Sequence, residues 1–494
     1  MPVSPDLLTS PWSPATAGLL TRDHHLTVPL DRSGNGDRLP DGRATMTIYA
    51  REIALVADRD PTAKPPLVFL QGGPGFEAPR PSPDAGLGWI GAILEHHRLI
   101  LIDQRGTGAS TPIDRPDAGG DAAGTARLLT HLRADEIVED CEDLRRALGL
   151  ERWSVLGQSF GGFCVTRYLS AHAQSLEHVY FTGGLPAVDR GIEDVYVLTY
   201  EAMRAKSEDF YARHPADRDR MADLTERAAR GDLLTPTGKP ISPARLRSIG
   251  VVLGASGGVD SLHHLLEADP DSMRLRHDLV AALPFQARNP LYPVLLDSCW
   301  ANGGVTAWAA EGALPADFHA DPTLLTGEHV TRTHLAEDPL LAPWLPVAQA
   351  LAEHEWPRLY DEAALRSAQV PGAAAVYARD VFVPMNCSLA TAALMPRLRT
   401  WVTSEYEHNG SRASGGAVFT RLQALATGAV IRCPFRPFSD RLPAVFGSRS
   451  QSPLAPGLPT GRRGGAPPRR PGDARRGAHV GGSDGVRGRW WDRA

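Results

Sequence analysis

Gly157-Gln158-Ser159-Phe160-Gly161 sets a serine between two glycines, directly after the apolar run 153–156 and directly before the helix-like stretch FGGFCVTRYLSAH. A serine hydroxyl attacks an acyl carbon only when a base removes its proton and the chain presents it to substrate. A sharp bend from strand to helix does the presenting, and it needs glycine on both sides because a side chain there would clash. The N–H of Phe160, at the start of the helix, can then face the oxygen that becomes negative during attack. A second donor is expected in Gln71-Gly72-Gly73-Pro74-Gly75, which follows the apolar run 67–70, and the N–H of Gly73 is the candidate.

A base and an acid must complete the site. After a serine on such a bend, an α/β sheet of this kind presents them in the order Ser, Asp, His. Asp380 follows the strand-like run 373–377, and His408 follows the run 399–403 within SEYEHNG, 28 positions later. They are the candidates, His408 to deprotonate Ser159 and Asp380 to orient and charge-stabilise His408. Asp103-Gln104-Arg105-Gly106-Thr107-Gly108-Ala109-Ser110 follows the run 98–102, and we read its Asp103 and Arg105 as structural, holding loops by charge-assisted hydrogen bonds.

The elements that must position these groups are legible as periodicity. Runs 67–70, 98–102 and 153–156, each followed by a glycine-rich turn, predict parallel strands buried on both faces. Between the second and third, residues 134–148 carry apolar positions at helical spacing, with Gly149 placed to end the helix. Alternation of strand and helix predicts a doubly wound α/β sheet. Runs 25–30 and 46–54 alternate apolar and polar residues, which predicts a half-exposed hairpin at a sheet edge. Beyond the run 178–182 the chain turns to helix-like segments, and strand-like runs return at 373–377 and 399–403 before a helical segment at 417–426. The expected organisation is therefore a sheet domain over 1–185 and 367–430, a helical insertion over 186–366, and a Pro, Gly and Arg-rich tail over 431–494 expected to be disordered.

QGGPG, DQRGTGAS and GQSFGG, in this order and spacing, resemble the proline iminopeptidase family of serine peptidases, and the likeness runs from about residue 25 to 428. The resemblance implies an α/β-hydrolase fold with a mostly parallel sheet and a helical cap. It also implies a Ser, Asp, His triad that releases N-terminal proline, with no cofactor or metal and with peptides bearing a free N-terminus as partners. Two segments resemble those in which the family carries amine-binding glutamates: NPLYPVLLDSCW, where this chain has Asp297, and LTGE, ending at Glu328. Asp297 is one methylene shorter than glutamate, so an amine would sit deeper or bind through water. Gln71 stands where the family usually has histidine; it can donate and accept hydrogen bonds but cannot titrate.

Composition narrows the function classes. The 494 residues are 42% hydrophobic and 22% charged, the usage of a folded globular protein. Residues 431–494 hold 13 Arg and 4 Asp, a net +9 that leaves −14 on the remainder. An acidic body disfavours nucleic acid as a partner. Five scattered cysteines, Cys141, Cys164, Cys299, Cys387 and Cys433, form neither a disulfide framework nor a zinc pattern. No run of about 18 apolar residues occurs, so no membrane span is expected, and a soluble cytoplasmic protein is. Two other readings fit the same motifs: a general esterase or amidase using the same triad, and a non-catalytic binding protein on the same fold. The sequence leaves the oligomeric state open.

Overall fold

Turn-bounded apolar runs build one ten-stranded sheet. The computed structural model describes residues 6–81 and 87–429; the tail 431–494 and the disorder expected of it lie outside the described residues. The strands are β1 (Leu7–Thr9), β2 (Ser13–Pro14), β3 (Leu19–Pro29), β4 (Thr45–Leu55), β5 (Pro66–Leu70), β6 (Arg98–Ile102), β7 (Trp153–Gln158), β8 (Leu176–Thr182), β9 (Gly372–Tyr377) and β10 (Leu398–Thr403). Their order is β1-β3-β4-β6-β5-β7-β8-β9-β10, with β2 also paired to β3. Strands β6, β5, β7, β8, β9 and β10 run parallel, and β1 to β4 join antiparallel at one side.

Every residue of β5, β6, β7 and β9 is buried, which is why these strands read as unbroken apolar runs. Successive side chains still alternate between the two faces. Val68, Leu70, Ile100, Ile102 and Val155 share one core with residues of the helices Ala134–Ala147 and Phe160–His172. Leu67, Phe69, Leu99, Leu101 and Leu156 share another with the helices Gly88–Leu94 and Ala417–Thr427.

β3 and β4 form a hairpin, but not the half-exposed edge that their alternation predicts. β4 pairs with β6 on its far side, and β3 is bordered by β1 and β2. The polar residue that breaks the apolar pattern of β4, Glu52, is buried rather than solvated. It accepts from Arg22 Nε at 2.6 Å and from Arg98 Nε at 2.6 Å, and lies 3.1 Å from His24 Nε2. A buried carboxylate so surrounded is paired, as burial requires.

Between β8 and β9, which are neighbours in the sheet, the chain leaves for an insertion built from helices, Ile192–Arg213 the longest and Glu362–Ser367 the last. Much of it folds around a core of its own, with Tyr200, Met203, Phe210, Met221, Leu246, Ile249 and Phe318 among its most buried residues. Among the described residues no helix is long and apolar enough to cross a membrane.

Candidate active site

The groups picked out by the sequence sit at the carboxyl ends of parallel strands, where open α/β sheets place their sites. Ser159 follows β7, the Gly72-Gly73 turn follows β5, Asp380 lies three residues beyond β9, and His408 five beyond β10. Ser159 has φ 52° and ψ −126°, a region that L residues other than glycine rarely occupy. Such a conformation costs of order 1–3 kcal/mol and persists only where its surroundings impose it. Here they do. The Ser159 N–H donates to Thr182 O at 3.1 Å, its carbonyl accepts from Gly162 N–H at 2.7 Å, and the helix Phe160–His172 starts at the next residue. Gly161 is required by space, since a Cβ there would lie 1.9 Å from the carbonyl oxygen of Leu70.

His408 Nδ1 lies 2.7 Å from Asp380 Oδ2. The other oxygen of Asp380 accepts from the N–H groups of Phe382 and Val383, at 2.9 and 3.1 Å, so the carboxylate is fixed on both sides. Burial works against protonation of His408, but the charge and hydrogen bond of Asp380, with a smaller contribution from Glu328, outweigh it and raise its pKa above the ordinary 6.5. With Nδ1 committed to the carboxylate, Nε2 is the nitrogen left to exchange a proton with a group in the cavity.

Ser159 and His408 line one cavity. Gly72 and Gly73 form part of its wall, and Gly73 has φ +127°, outside the reach of most L residues. Phe160 is buried under the site and contributes the first N–H of its helix, one of the four that a helix leaves without an internal acceptor. Glu328 also lines the cavity, and the hydroxyl of Tyr292 donates to its Oε1. Burial raises Glu328 from 4.5 to about 7, against the opposing effects of the Tyr292 hydrogen bond and the charge of His408.

Asp297 is not brought to this cavity. Its Oδ1 accepts from the Tyr196 hydroxyl at 2.5 Å, and burial pushes it from 3.8 to about 7. Asp297 and Tyr292 share the helix Leu291–Trp300, five residues and hence about 140° apart around its axis, so one face cannot present both. Tyr292 takes the cavity side.

Other cavity residues escaped the sequence reading. Phe76, Val251, Val252, Leu283 and Phe382 supply apolar wall, and Asn409 and Arg412 add polar groups beside His408. Arg412 Nη2 donates to Gln71 Oε1 at 2.9 Å, and Gln104 Nε2 donates to the Gln71 carbonyl at 2.9 Å, so the glutamine that departs from the usual histidine anchors its loop. Asp103 accepts from the N–H groups of Ala78 and Ala109 and from Arg80, while Arg105 forms a two-point pair with Asp140, both bonds at 2.7 Å. Both residues hold loops and neither lines the cavity among the described residues.

A serine strained over the end of a central parallel strand, sharing a cavity with a histidine that is paired to an aspartate, both from later strand ends, defines an α/β-hydrolase. Residues 65–235 match the α/β hydrolase fold family. A proline iminopeptidase of Aeromonas sobria is 38% identical over 427 residues, 84% of this chain and 98% of its own length. Another, from Aspergillus aculeatus, is 30% identical over 428 residues, 82% of this chain and 93% of its own. The chain belongs to the proline iminopeptidase family.

Proposed function

We propose that this protein is a serine exopeptidase that releases an N-terminal residue, preferentially proline, from peptides through an acyl-enzyme on Ser159. The observation that carries the reading is a single cavity lined by Ser159, His408 and the half-buried carboxyl of Glu328. A nucleophile and its base alone suit any acyl substrate. An acid partly withdrawn from water within their cavity suits one that arrives with a cation, and a free α-amine next to the scissile bond is that cation.

In this mechanism His408 takes the proton of Ser159 as the oxygen attacks the carbonyl of the N-terminal residue. Asp380 holds the imidazole in the required tautomer and stabilises its charged form. The N–H groups of Phe160 and Gly73 receive the developing oxyanion. His408 then protonates the departing nitrogen, and water, activated by the same imidazole, releases the acyl group and regenerates Ser159. The helical insertion acts as a cap, supplying Glu328 and the apolar wall of Val251, Val252 and Leu283 against which a pyrrolidine ring packs.

The test compares L-prolyl arylamide with its N-acylated form on purified protein. Turnover of the free amine well above that of the blocked form is expected; equal turnover of the two would falsify the exopeptidase reading in favour of a general amidase.

A further inference from the structure

Acyl transfer assigns sides to the cavity. The imidazole that accepts the Ser159 proton must hand one to the leaving nitrogen. The residue after the scissile bond therefore sits against His408 and its chain neighbours, while the amino-terminal residue lies towards Glu328. The cavity holds a cationic side chain on the histidine loop: Arg412, four residues beyond His408 on the short helix Gly410–Ala413. Its bond to Gln71 Oε1 at 2.9 Å ties the guanidinium between the histidine loop and the loop that carries Gly73. Its charge also reaches His408, whose protonation it opposes. One carboxyl and one guanidinium thus share a cavity with the nucleophile.

We propose that Arg412 forms a carboxylate-binding subsite on the leaving-group side, which makes dipeptides, whose carboxylate follows directly after the scissile bond, the preferred substrates. The inference rests on the reading of this site as an N-terminal exopeptidase. In a dipeptide the terminal carboxylate carbon is two bonds from the scissile nitrogen, so a group held against His408 brings the carboxylate towards the side chain of Arg412, four residues on and lining the same cavity. A guanidinium suits it, because its planar fork meets a carboxylate through two parallel hydrogen bonds. The two charges of a zwitterionic dipeptide then have one partner each, Glu328 and Arg412. Extending the peptide carries the carboxylate away from this position, and amidation removes its charge.

The experiment measures kcat/KM of the full chain on L-prolyl-glycine and on L-prolyl-glycinamide. Wild type should favour the free acid by about tenfold or more, the factor expected of a charge-assisted hydrogen bond. In Arg412→Met that ratio should fall to about one, and in Arg412→Lys it should recover in part. Because the ratio is read within one protein, any general loss from disturbing Gln71 cancels. Equal rates on acid and amide in wild type overturn the subsite, as does an Arg412→Met enzyme that keeps the preference. Cleavage of prolyl arylamide together with equal rates on acid and amide removes the subsite alone, whereas failure on every free-amine prolyl substrate removes the exopeptidase reading beneath it.

Discussion

Glu328 is the residue whose replacement separates an exopeptidase from a hydrolase that shares its triad. Burial raises its carboxyl from 4.5 to about 7, so the ionised form costs about 3 kcal/mol more in the cavity than in water. A substrate ammonium that pairs with it must offset that cost, leaving the net value of a charge-assisted hydrogen bond, about 1.5–3 kcal/mol. Glu328→Gln keeps the shape and an acceptor for Tyr292 but removes the charge. It should lower kcat/KM on L-prolyl arylamide by about 10- to 150-fold, and the preference over the N-acylated substrate should fall with it. The pH profile carries a second sign. Productive free enzyme needs Glu328 ionised and His408 neutral, and both conditions are met only as pH rises, through about 7 for Glu328 and above the ordinary 6.5 for His408, whose pKa is also raised. The acid limb of log kcat/KM should therefore approach a slope of two in wild type and one in the variant. The limb of kcat should show His408 alone, because a bound ammonium keeps Glu328 ionised in the complex. A Glu328→Gln enzyme that retains the wild-type preference for a free amine, with an unchanged limb, would refute the reasoning.

Two further outcomes follow from the same structure. His408→Ala should lose at least about 10³-fold in turnover with its circular dichroism spectrum intact, since triad members act as a unit; a near-normal rate would remove His408 from the mechanism. Asp297 has its pKa raised from 3.8 to about 7, so the native state holds a proton that the unfolded chain gives up, and stability falls as pH rises through that window, by about 4 kcal/mol once above it. Asp297→Asn, neutral at every pH, should unfold at a higher temperature than wild type at pH 8 and at nearly the same temperature at pH 4; an equal gap at both pH values contradicts this.

What could be read from the sequence was set by how locally each feature is determined. β6 spans the same residues as the run 98–102, because a strand buried on both faces must be apolar throughout and a turn must bound it. The bend at Ser159 was legible because a strand-to-helix turn this sharp crowds its own backbone: a Cβ on Gly157 would meet Gly161 and Gly162, whereas the space at Gly161 is closed by Leu70 of the neighbouring strand. The hairpin of runs 25–30 and 46–54 was read as half exposed because alternation does not distinguish a solvated carboxylate from one, Glu52, buried among two arginines and a histidine that arrive from other strands. Tyr292 and Arg412 lay in quoted or adjacent segments, yet which face of a helix meets the cavity depends on how that helix packs, and nothing in the spacing of NPLYPVLLDSCW prefers Tyr292 to Asp297.

The insertion does more than cover the cavity. The N–H of His408 donates to the carbonyl of Gly254 at 3.0 Å, and Asn409 Oδ1 accepts from the N–H of Ser256 at 3.0 Å, so the histidine loop is hydrogen-bonded to the insertion at the imidazole's own residue and at the next. Lys206, in the long helix Ile192–Arg213, pairs with Glu407, and this pair is largely out of solvent. The ring of Phe382, beside Asp380, would collide with any Cβ on Gly254, at 2.3 Å. Arg379 also pairs with Asp209 of the same long helix, but both are half exposed and such a pair contributes little. The backbone bonds matter more, because they fix where the loop's main chain lies and therefore where the imbalance between burial and the Asp380 charge acts on His408. Ser159, by contrast, is held by β7, which it follows, and by its N–H bond to Thr182 of β8. The position of the base is thus tied to the packing of the insertion as well as to β10.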